Sequence, residues 1–153
     1  MLRKEETNEL IKRVTAASLK AIAAEPELNV SFAPGQSSAT AEQAILPTPV
    51  GTLDEAALIK LRGVADALAV KLRYHDEEVH RKHMPSGPDA RAVYEAIEQV
   101  RCESLGIRRF NGVAENLGAL LDEKCKAKGL GAVTEKNEAL LPEAVGLLIR
   151  EYL

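Results

Sequence analysis

The chain has 153 residues, enough for one domain with its own buried core. Its net charge of −3 excludes a global basic field for holding nucleic acid, and no apolar run reaches the roughly 18 residues of a membrane span. Aromatic residues make up only 3%, with no Trp, so the core must be aliphatic. Two cysteines without metal-type spacing and a charged N-terminus, Met1–Glu9, favour free thiols and a cytoplasmic protein.

The first predicted element is a helix over Glu5–Ala24, which Pro26 ends. Its predicted buried face consists of apolar residues at helical spacing: Leu10, Val14, Ala17 and Ala21. Glu27–Ala33 follows as a short extended piece, and within it only Val30–Ala33 resembles a strand. Residues 34–50 carry three prolines and one Gly among several Ser and Thr, which predicts a surface loop.

The centre of the sequence predicts a long helical hairpin. Over Leu53–His83 an apolar stripe recurs every three or four residues, namely Leu61, Ala65, Leu68, Leu72, His75 and Val79. Asp54 can cap the start and Pro85 stops the helix, which gives about thirty residues or about 45 Å. A second helix spans Pro88–Gly106, and the short Pro-Ser-Gly-Pro link favours an antiparallel pair.

Two further helices are predicted after a Gly-rich corner. Asn111–Lys128 begins with Asn111 as its N-cap, and the last helix opens at Pro142. The last helix is expected to turn four residues inward: Val145, Leu148, Ile149 and Tyr152. Val133–Leu141 remains open between helix and loop. Residues 1–153 are therefore predicted to form a single all-α domain of about five helices around the central antiparallel hairpin.

All three histidines lie in the segment His75–His83. On one helix, Asp76, His80 and His83 would fall at i, i+4 and i+7, on adjacent turns of one side, where they can hold a divalent metal. The alternative is a charged helix end with His75 as a hydrogen-bonded core residue. The absence of H-E-x-x-H order and of obvious ligands on a second helix favours this alternative.

A local basic patch surrounds the corner at Phe110. It consists of Arg101, Arg108 and Arg109, and Arg is well suited to two-pronged contacts with carboxylate or phosphate. The alternative is that these arginines pair inside the domain with Glu98, Glu103 or Glu115. The sequence contains no nucleophile–base pair, phosphate loop or Gly-rich dinucleotide turn that we recognise.

Several longer stretches together resemble a known family. They are Pro26–Gly35, Arg62–Ala69, Tyr74–Asp76, His80-Arg81, Pro88–Arg101 and Gly106–Leu117. Their combination resembles the N-terminal region of the CobT subunit of aerobic cobaltochelatase, from about Leu10 to Leu153. In that family the full chain continues into an acidic linker and a von Willebrand A-type domain. The Asp-x-Ser-x-Ser metal motif of that later domain is absent here.

The resemblance implies a subunit of a ligase-class, ATP-dependent chelatase. The complex inserts Co²⁺ into hydrogenobyrinic acid a,c-diamide during cobalamin (vitamin B12) biosynthesis. Its partners are an AAA+ ATPase subunit and a large corrin-binding subunit, with self-association as a further option, and no nucleic acid or membrane. The complex is expected to use ATP, Mg²⁺ and Co²⁺, whereas this domain is expected to bind no cofactor and to carry no catalytic residue.

The sequence therefore supports two hypotheses of function. The first is an assembly and interaction domain of cobaltochelatase, with Arg101, Arg108, Arg109 and Phe110 as the partner-binding residues. The second is a small helical metal-binding or metal-delivery domain that uses His75, His80 and His83, with Asp76 as the additional ligand beside His80 and His83.

Overall fold

The structure is a computed structural model that describes residues 2–132 and 137–153. These residues form six α-helices: α1 (Leu2–Ala23), α2 (Glu55–Tyr74), α3 (Glu77–Lys82), α4 (Pro88–Arg109), α5 (Val113–Ala127) and α6 (Leu141–Arg150). Short 3₁₀ turns lie at Leu130–Ala132 and Glu138–Leu140. No helix in the described ranges is long and apolar enough to cross a membrane.

A small sheet corrects the all-α prediction. Its strands are β1 (Asn29–Ala33), β2 (Ser38–Ala39) and β3 (Gln43–Pro47), in the order β1-β3-β2. β3 runs parallel to β1 and antiparallel to β2, so the predicted surface loop over residues 34–50 supplies two of the three strands. Ala44 and Leu46 of β3 are fully buried. The sequence does not show this alternation, because Ala44, Ile45 and Leu46 are all apolar, and the surrounding prolines favour a loop.

The predicted helix Leu53–His83 is also wrong as one element, because it breaks at His75 and Asp76. Both residues have extended backbone, with ψ of 132° and 105°, so the helix cannot continue through them. The Asp76 carboxylate accepts a hydrogen bond from the backbone N–H of Val79 at 2.9 Å and thereby caps α3. Asp54 caps α2 in the same way, as predicted.

Helix α4 continues past its predicted stop at Gly106 and ends at Arg109. A Cβ on Gly106 would lie 3.1 Å from Cβ of Val70 and closer still to its Cγ1, so this glycine permits close packing of α4 on α2. The N-cap of α5 is Gly112, with φ of 84°, and not Asn111 as predicted. A positive φ of this size favours glycine and turns the chain sharply between the two helices.

Helix α2 is the central element, because it contacts α1, α4 and α5. One core cluster lies between α1, the sheet and α2: Leu19, Ala23, Leu28, Ala44, Leu46, Ala65 and Ala69. The second lies between α2, α4 and α5: Ala67, Val70, Cys102, Val113, Leu117 and Leu120. The predicted pairing of α2 with α4 is thus one of several contacts that α2 makes with helices and with the sheet, and α4 also packs against α6.

Three predicted apolar faces point elsewhere in the structure. On α1 the predicted face is exposed (Leu10, Val14, Ala17, Ala21), and the buried residues are Thr15, Leu19 and Ala23. On α6, Leu148 and Tyr152 are exposed, and beyond α2 so is Val79. Small apolar residues occupy two adjacent sides of α1, so periodicity alone could not select the buried side. Residues 133–136 of the undecided segment Val133–Leu141 lie outside the described residues.

The contact between α2 and α5 requires a glycine. A Cβ added to Gly63 would lie 2.9 Å from Cβ of Leu120 and closer still to the backbone carbonyl oxygen of Asn116. Backbone atoms cannot rotate away, so any side chain at this position must push the two helices apart. On the exposed side of α5, Gly118 has no heavy atom within 4 Å of its would-be Cβ.

We therefore predict opposite effects for two Gly→Ala substitutions. Gly63→Ala should lower the free energy of unfolding by about 1–3 kcal/mol through overpacking. Gly118→Ala should raise it by up to about 1 kcal/mol, since Ala is the better helix former. Urea titrations followed by circular dichroism measure both changes. Equal midpoints for Gly63→Ala and wild type would show that α2 and α5 are not packed this closely.

A histidine–carboxylate cluster and an arginine corner

The break between α2 and α3 brings His75 against α4. His75 Nδ1 lies 2.8 Å from Oε1 of Glu98, and His75 Nε2 lies 3.1 Å from Oε2 of Glu77. The side chains of His75 and Glu98 are only 13% and 14% exposed, whereas that of Glu77 is 79% exposed. Both nitrogens of the ring therefore face carboxylates, one held inside the domain and one at its surface.

His80 lies beside His75 and is buried. Its Nε2 is 2.9 Å from Oε1 of Glu95, and its ring stacks on Tyr94 with centroids 4.5 Å apart. The Tyr94 hydroxyl donates to the backbone carbonyl oxygen of His80 at 3.3 Å. The rings of His75 and His80 meet edge to face with centroids 4.6 Å apart. We call His75, His80, Glu95 and Glu98 the histidine cluster.

Arg101 also binds Glu98 and shares its Oε1 with His75. Its Nε donates to Oε2 and its Nη2 to Oε1, each at 2.7 Å, and Nη2 also donates to the backbone carbonyl oxygen of Tyr74 at 2.7 Å. These hydrogen bonds, foremost that of Arg101, lower the pKa of Glu98 to about 2. Burial raises the pKa of the neighbouring Cys102 thiol to about 12, so at neutral pH it is protonated and donates to Glu98 at 3.5 Å.

The structure does not bring together the ligands predicted from the sequence. Asp76 caps α3, and Nδ1 of His83 is 2.9 Å from the carbonyl oxygen of Val79, so of the predicted ligands only His75 and His80 join the cluster. The three residues that can share one ion are His75, His80 and Glu98, each offering one ligand atom, with all three atoms within 4.8 Å of one another. Sequence reasoning missed Glu98 because it lies on another helix; its only signal was its i, i+3 spacing from Glu95.

The histidine cluster forms one wall of an open cleft of about 640 Å³. His75, His80 and Glu95 line it on one side, Leu68 and Leu72 extend it along α2, and residues 37–41 around β2 close the other side. The cleft thus connects the ring nitrogens with solvent.

The arginines predicted to bind a partner are placed in three different settings. Arg101 is held inside the domain by Glu98, whereas Arg108 donates to the backbone carbonyl oxygen of Leu153. Arg109 is exposed and makes no hydrogen bond or ion pair with any described residue. Phe110 is half-buried, with the Arg73 guanidinium 5.4 Å from its ring centroid.

Among the described residues, only one of the carboxylates considered as partners for these arginines is seen to bind one of them. Glu98 binds Arg101, but Glu103, itself buried, binds Arg150 of α6. The prediction that the corner binds a partner therefore rests on Arg109, on Arg108 and on the exposed apolar residue Ile107 beside them.

These features define a mostly helical domain with a small sheet, a partly buried histidine–carboxylate cluster and an exposed basic corner. The chain belongs to the family described as cobalamin biosynthesis protein CobT, whose family model matches residues 5–153. This match confirms the resemblance seen in the sequence and places the chain in cobalamin biosynthesis. No solved structure matches the chain.

We predict that Glu98 contributes more to stability than its exposed neighbour Glu77. Glu98→Gln leaves Arg101 and His75 without their charged partner and should cost about 1–3 kcal/mol at pH 7. Glu77→Gln, at a side chain that is 79% exposed, should stay within about 0.5 kcal/mol of wild type. Urea unfolding of the three proteins at pH 7 measures the difference.

The difference in the free energy of unfolding between wild type and Glu98→Gln should depend on pH. The pKa of Glu98 falls from 4.5 to about 2 on folding, so its carboxylate stabilises the fold fully above pH 4.5. That contribution is lost as the pH falls from about 4.5 towards 2, and the gap between wild type and Glu98→Gln should narrow over this interval. A gap that stays constant from pH 7 to pH 3 would contradict the ion pair with Arg101.

Proposed function

We propose that the chain is an assembly domain of the CobT subunit of an aerobic cobaltochelatase. It docks on the AAA+ ATPase subunit and supports ATP-dependent insertion of Co²⁺ into hydrogenobyrinic acid a,c-diamide. The large corrin-binding subunit is the second partner, and ATP and Mg²⁺ are consumed or held by the complex rather than by this domain. Membership of the CobT family supports the pathway, and the surface described next supports the docking role.

The observation that carries the proposal is an exposed surface where the ends of α4 and α6 meet. We call it the α4–α6 surface, and it consists of Ile107, Arg108, Arg109, Leu148 and Tyr152. Leu148 of α6 is 59% exposed, and Tyr152, two residues beyond the end of α6, is 87% exposed. The hydrogen bond from Arg108 to Leu153 joins the two helix ends.

The packing of α6 on α4 explains why these residues are available. Gly146 of α6 approaches Val100, where a Cβ would lie 3.6 Å from its Cγ2, and Arg150 binds Glu103. Glu103 and Ile107 are four residues apart on one side of α4, so Ile107 follows directly beyond this contact. The core thus uses the middle of both helices, and Ile107, Arg109, Leu148 and Tyr152 remain exposed.

The composition of the α4–α6 surface suits recognition of a protein. Tyr and Arg are enriched at interface hot spots, where an apolar anchor is desolvated and flanking charges set the orientation. Arg109 is exposed and has no partner among the described residues, and its guanidinium suits a two-pronged contact with a carboxylate of a partner. The matching surface on the ATPase subunit is therefore expected to combine an apolar pocket with acidic residues.

A charge reversal tests the docking role. Arg109→Glu should weaken binding to the ATPase subunit at least tenfold, or by about 1.4 kcal/mol, with little change in Tm. Arg13→Glu is the matched control, since Arg13 is exposed on α1 and should leave the affinity unchanged. Titration calorimetry or biolayer interferometry measures both variants. Equal loss in both variants would indicate a nonspecific charge effect, and no loss in either would remove Arg109 from the interface.

A second prediction concerns catalysis. The isolated chain should neither hydrolyse ATP nor insert Co²⁺ into a corrin precursor, because its sequence has no phosphate loop. A coupled phosphate-release assay on highly purified protein checks this. ATP turnover that disappears in a point variant of this chain would contradict it.

A further inference from the structure

We propose that the histidine cluster is a binding site for a divalent transition-metal ion, with His75, His80 and Glu98 as its protein ligands. This inference goes beyond the docking role and does not depend on it. The ligands differ from the set that helical spacing had predicted, because the break after α2 turns His75 inward and removes Asp76 and His83 from the cluster.

The distances fit such an ion. Metal–ligand bonds of about 2.0–2.2 Å in tetrahedral geometry place neighbouring ligand atoms about 3.4 Å apart. In the cluster the three ligand atoms lie within 4.8 Å of one another, and Nδ1 of His75 is already 2.8 Å from Oε1 of Glu98. The three ligand atoms are therefore already close to the spacing that one ion requires.

The outer contacts also match those of metal sites. A ligating histidine commonly directs its second ring nitrogen at a carboxylate, which fixes the ring and raises its basicity. Glu77 holds that position at Nε2 of His75. Arg101 orients the Glu98 carboxylate and keeps it ionised, so it is ready to accept a cation without first losing a proton.

The charge around the two rings favours a cation. The carboxylates of Glu77, Glu95 and Glu98 contact them. The cations nearby are Arg101, which binds Glu98, and Lys71, which is 4.0 Å from Glu95. A metal cation between the histidines would take over the contacts that the ring nitrogens now make with Glu95 and Glu98. The cleft beside His75, His80 and Glu95 gives the ion a route from solvent and leaves room for water as a further ligand.

The ligand types select the class of metal. Two imidazoles and one carboxylate suit Zn²⁺, Co²⁺ or Ni²⁺, whereas Mg²⁺ and Ca²⁺ prefer sites made only of oxygen atoms. We therefore expect one Co²⁺ or Zn²⁺ ion per chain and no competition from Mg²⁺ in excess.

Titration with CoCl₂ tests the site on the chain without partner subunits, by calorimetry and by the visible absorption of bound Co²⁺. We expect one equivalent to bind and to produce the stronger absorption bands of a site with fewer than six ligands. His75→Gln and Glu98→Gln should each weaken binding by about tenfold or more, a loss comparable to that for disturbed metal sites. His83→Gln is the matched control and should bind as wild type does, because His83 faces the backbone of α3.

Each outcome decides for or against the site. Circular dichroism of every variant ensures that weaker binding is compared between folded proteins. Retained binding in both His75→Gln and Glu98→Gln, or loss in His83→Gln alone, would overturn the ligand assignment. Absence of saturable binding to the wild-type chain would show that the cluster is only a hydrogen-bonded network. Since no ATPase subunit is present, these results are independent of whether the docking proposal holds.

Discussion

The position of the histidine cluster depends on the contact of Arg101 with the C-terminal end of α2. A helix end leaves backbone carbonyl groups without intrahelical partners, and Arg101 donates to one of them at Tyr74. The same guanidinium donates hydrogen bonds to both oxygens of Glu98. Glu98 in turn contacts His75, the first residue beyond the helix. Arg101 of α4 therefore binds the C-terminal end of α2 and orients Glu98, which contacts His75. Its hydrogen bonds also lower the pKa of Glu98 and keep that carboxylate ionised.

Arg101 can reach the end of α2 because α2 packs closely against α4 and α5. Gly106 lets α4 pack on Val70 of α2, and Gly63 lets α2 pack on the backbone of α5. Between them, Asn116 donates to the buried carboxylate of Asp66 at 2.7 Å. Burial raises the pKa of Asp66, a cost that the hydrogen bond from Asn116 offsets in part. Helix α4 therefore packs against the core through Cys102 and Gly106.

The two proposed roles lie on different parts of α4. Its central turns carry Glu95 and Glu98, which contact the histidines, and Arg101, which binds Glu98. Its last turn carries Ile107 and Arg109 to the surface, beside the end of α6. Arginines that look equivalent in the sequence therefore differ in their contacts, because Arg101 binds Glu98 and the carbonyl of Tyr74, whereas Arg109 has no partner among the described residues.

The sequence predicted the helices well where a strong apolar stripe and a terminal signal coincide, as at Asp54 and Pro88. It failed where a local hydrogen bond competes with helical periodicity. Asp76 reads equally well as the interior of a charged helix and as an N-cap, and only the contact of His75 with Glu98 decides between them. The sheet was missed for a similar reason, since β3 gains its stability from a partner strand distant in sequence.

The ligand set could not be derived from spacing along one helix, because Glu98 reaches the histidines only through packing of α4 on α2. The sequence likewise predicted only part of the α4–α6 surface. It showed the adjacent arginines at the corner, but Leu148 and Tyr152 were predicted to face inward and are exposed. A short amphipathic helix with apolar residues on more than one side does not reveal which side the core will use.

Hydrogen–deuterium exchange of the chain with and without the ATPase subunit tests the docking role most directly. The account predicts slower exchange in the last turn of α4 and in residues 148–153, with the β-sheet and α1 unchanged. Protection confined to α1 or to the sheet, in a complex shown to form, would contradict the assignment of the α4–α6 surface as the docking site.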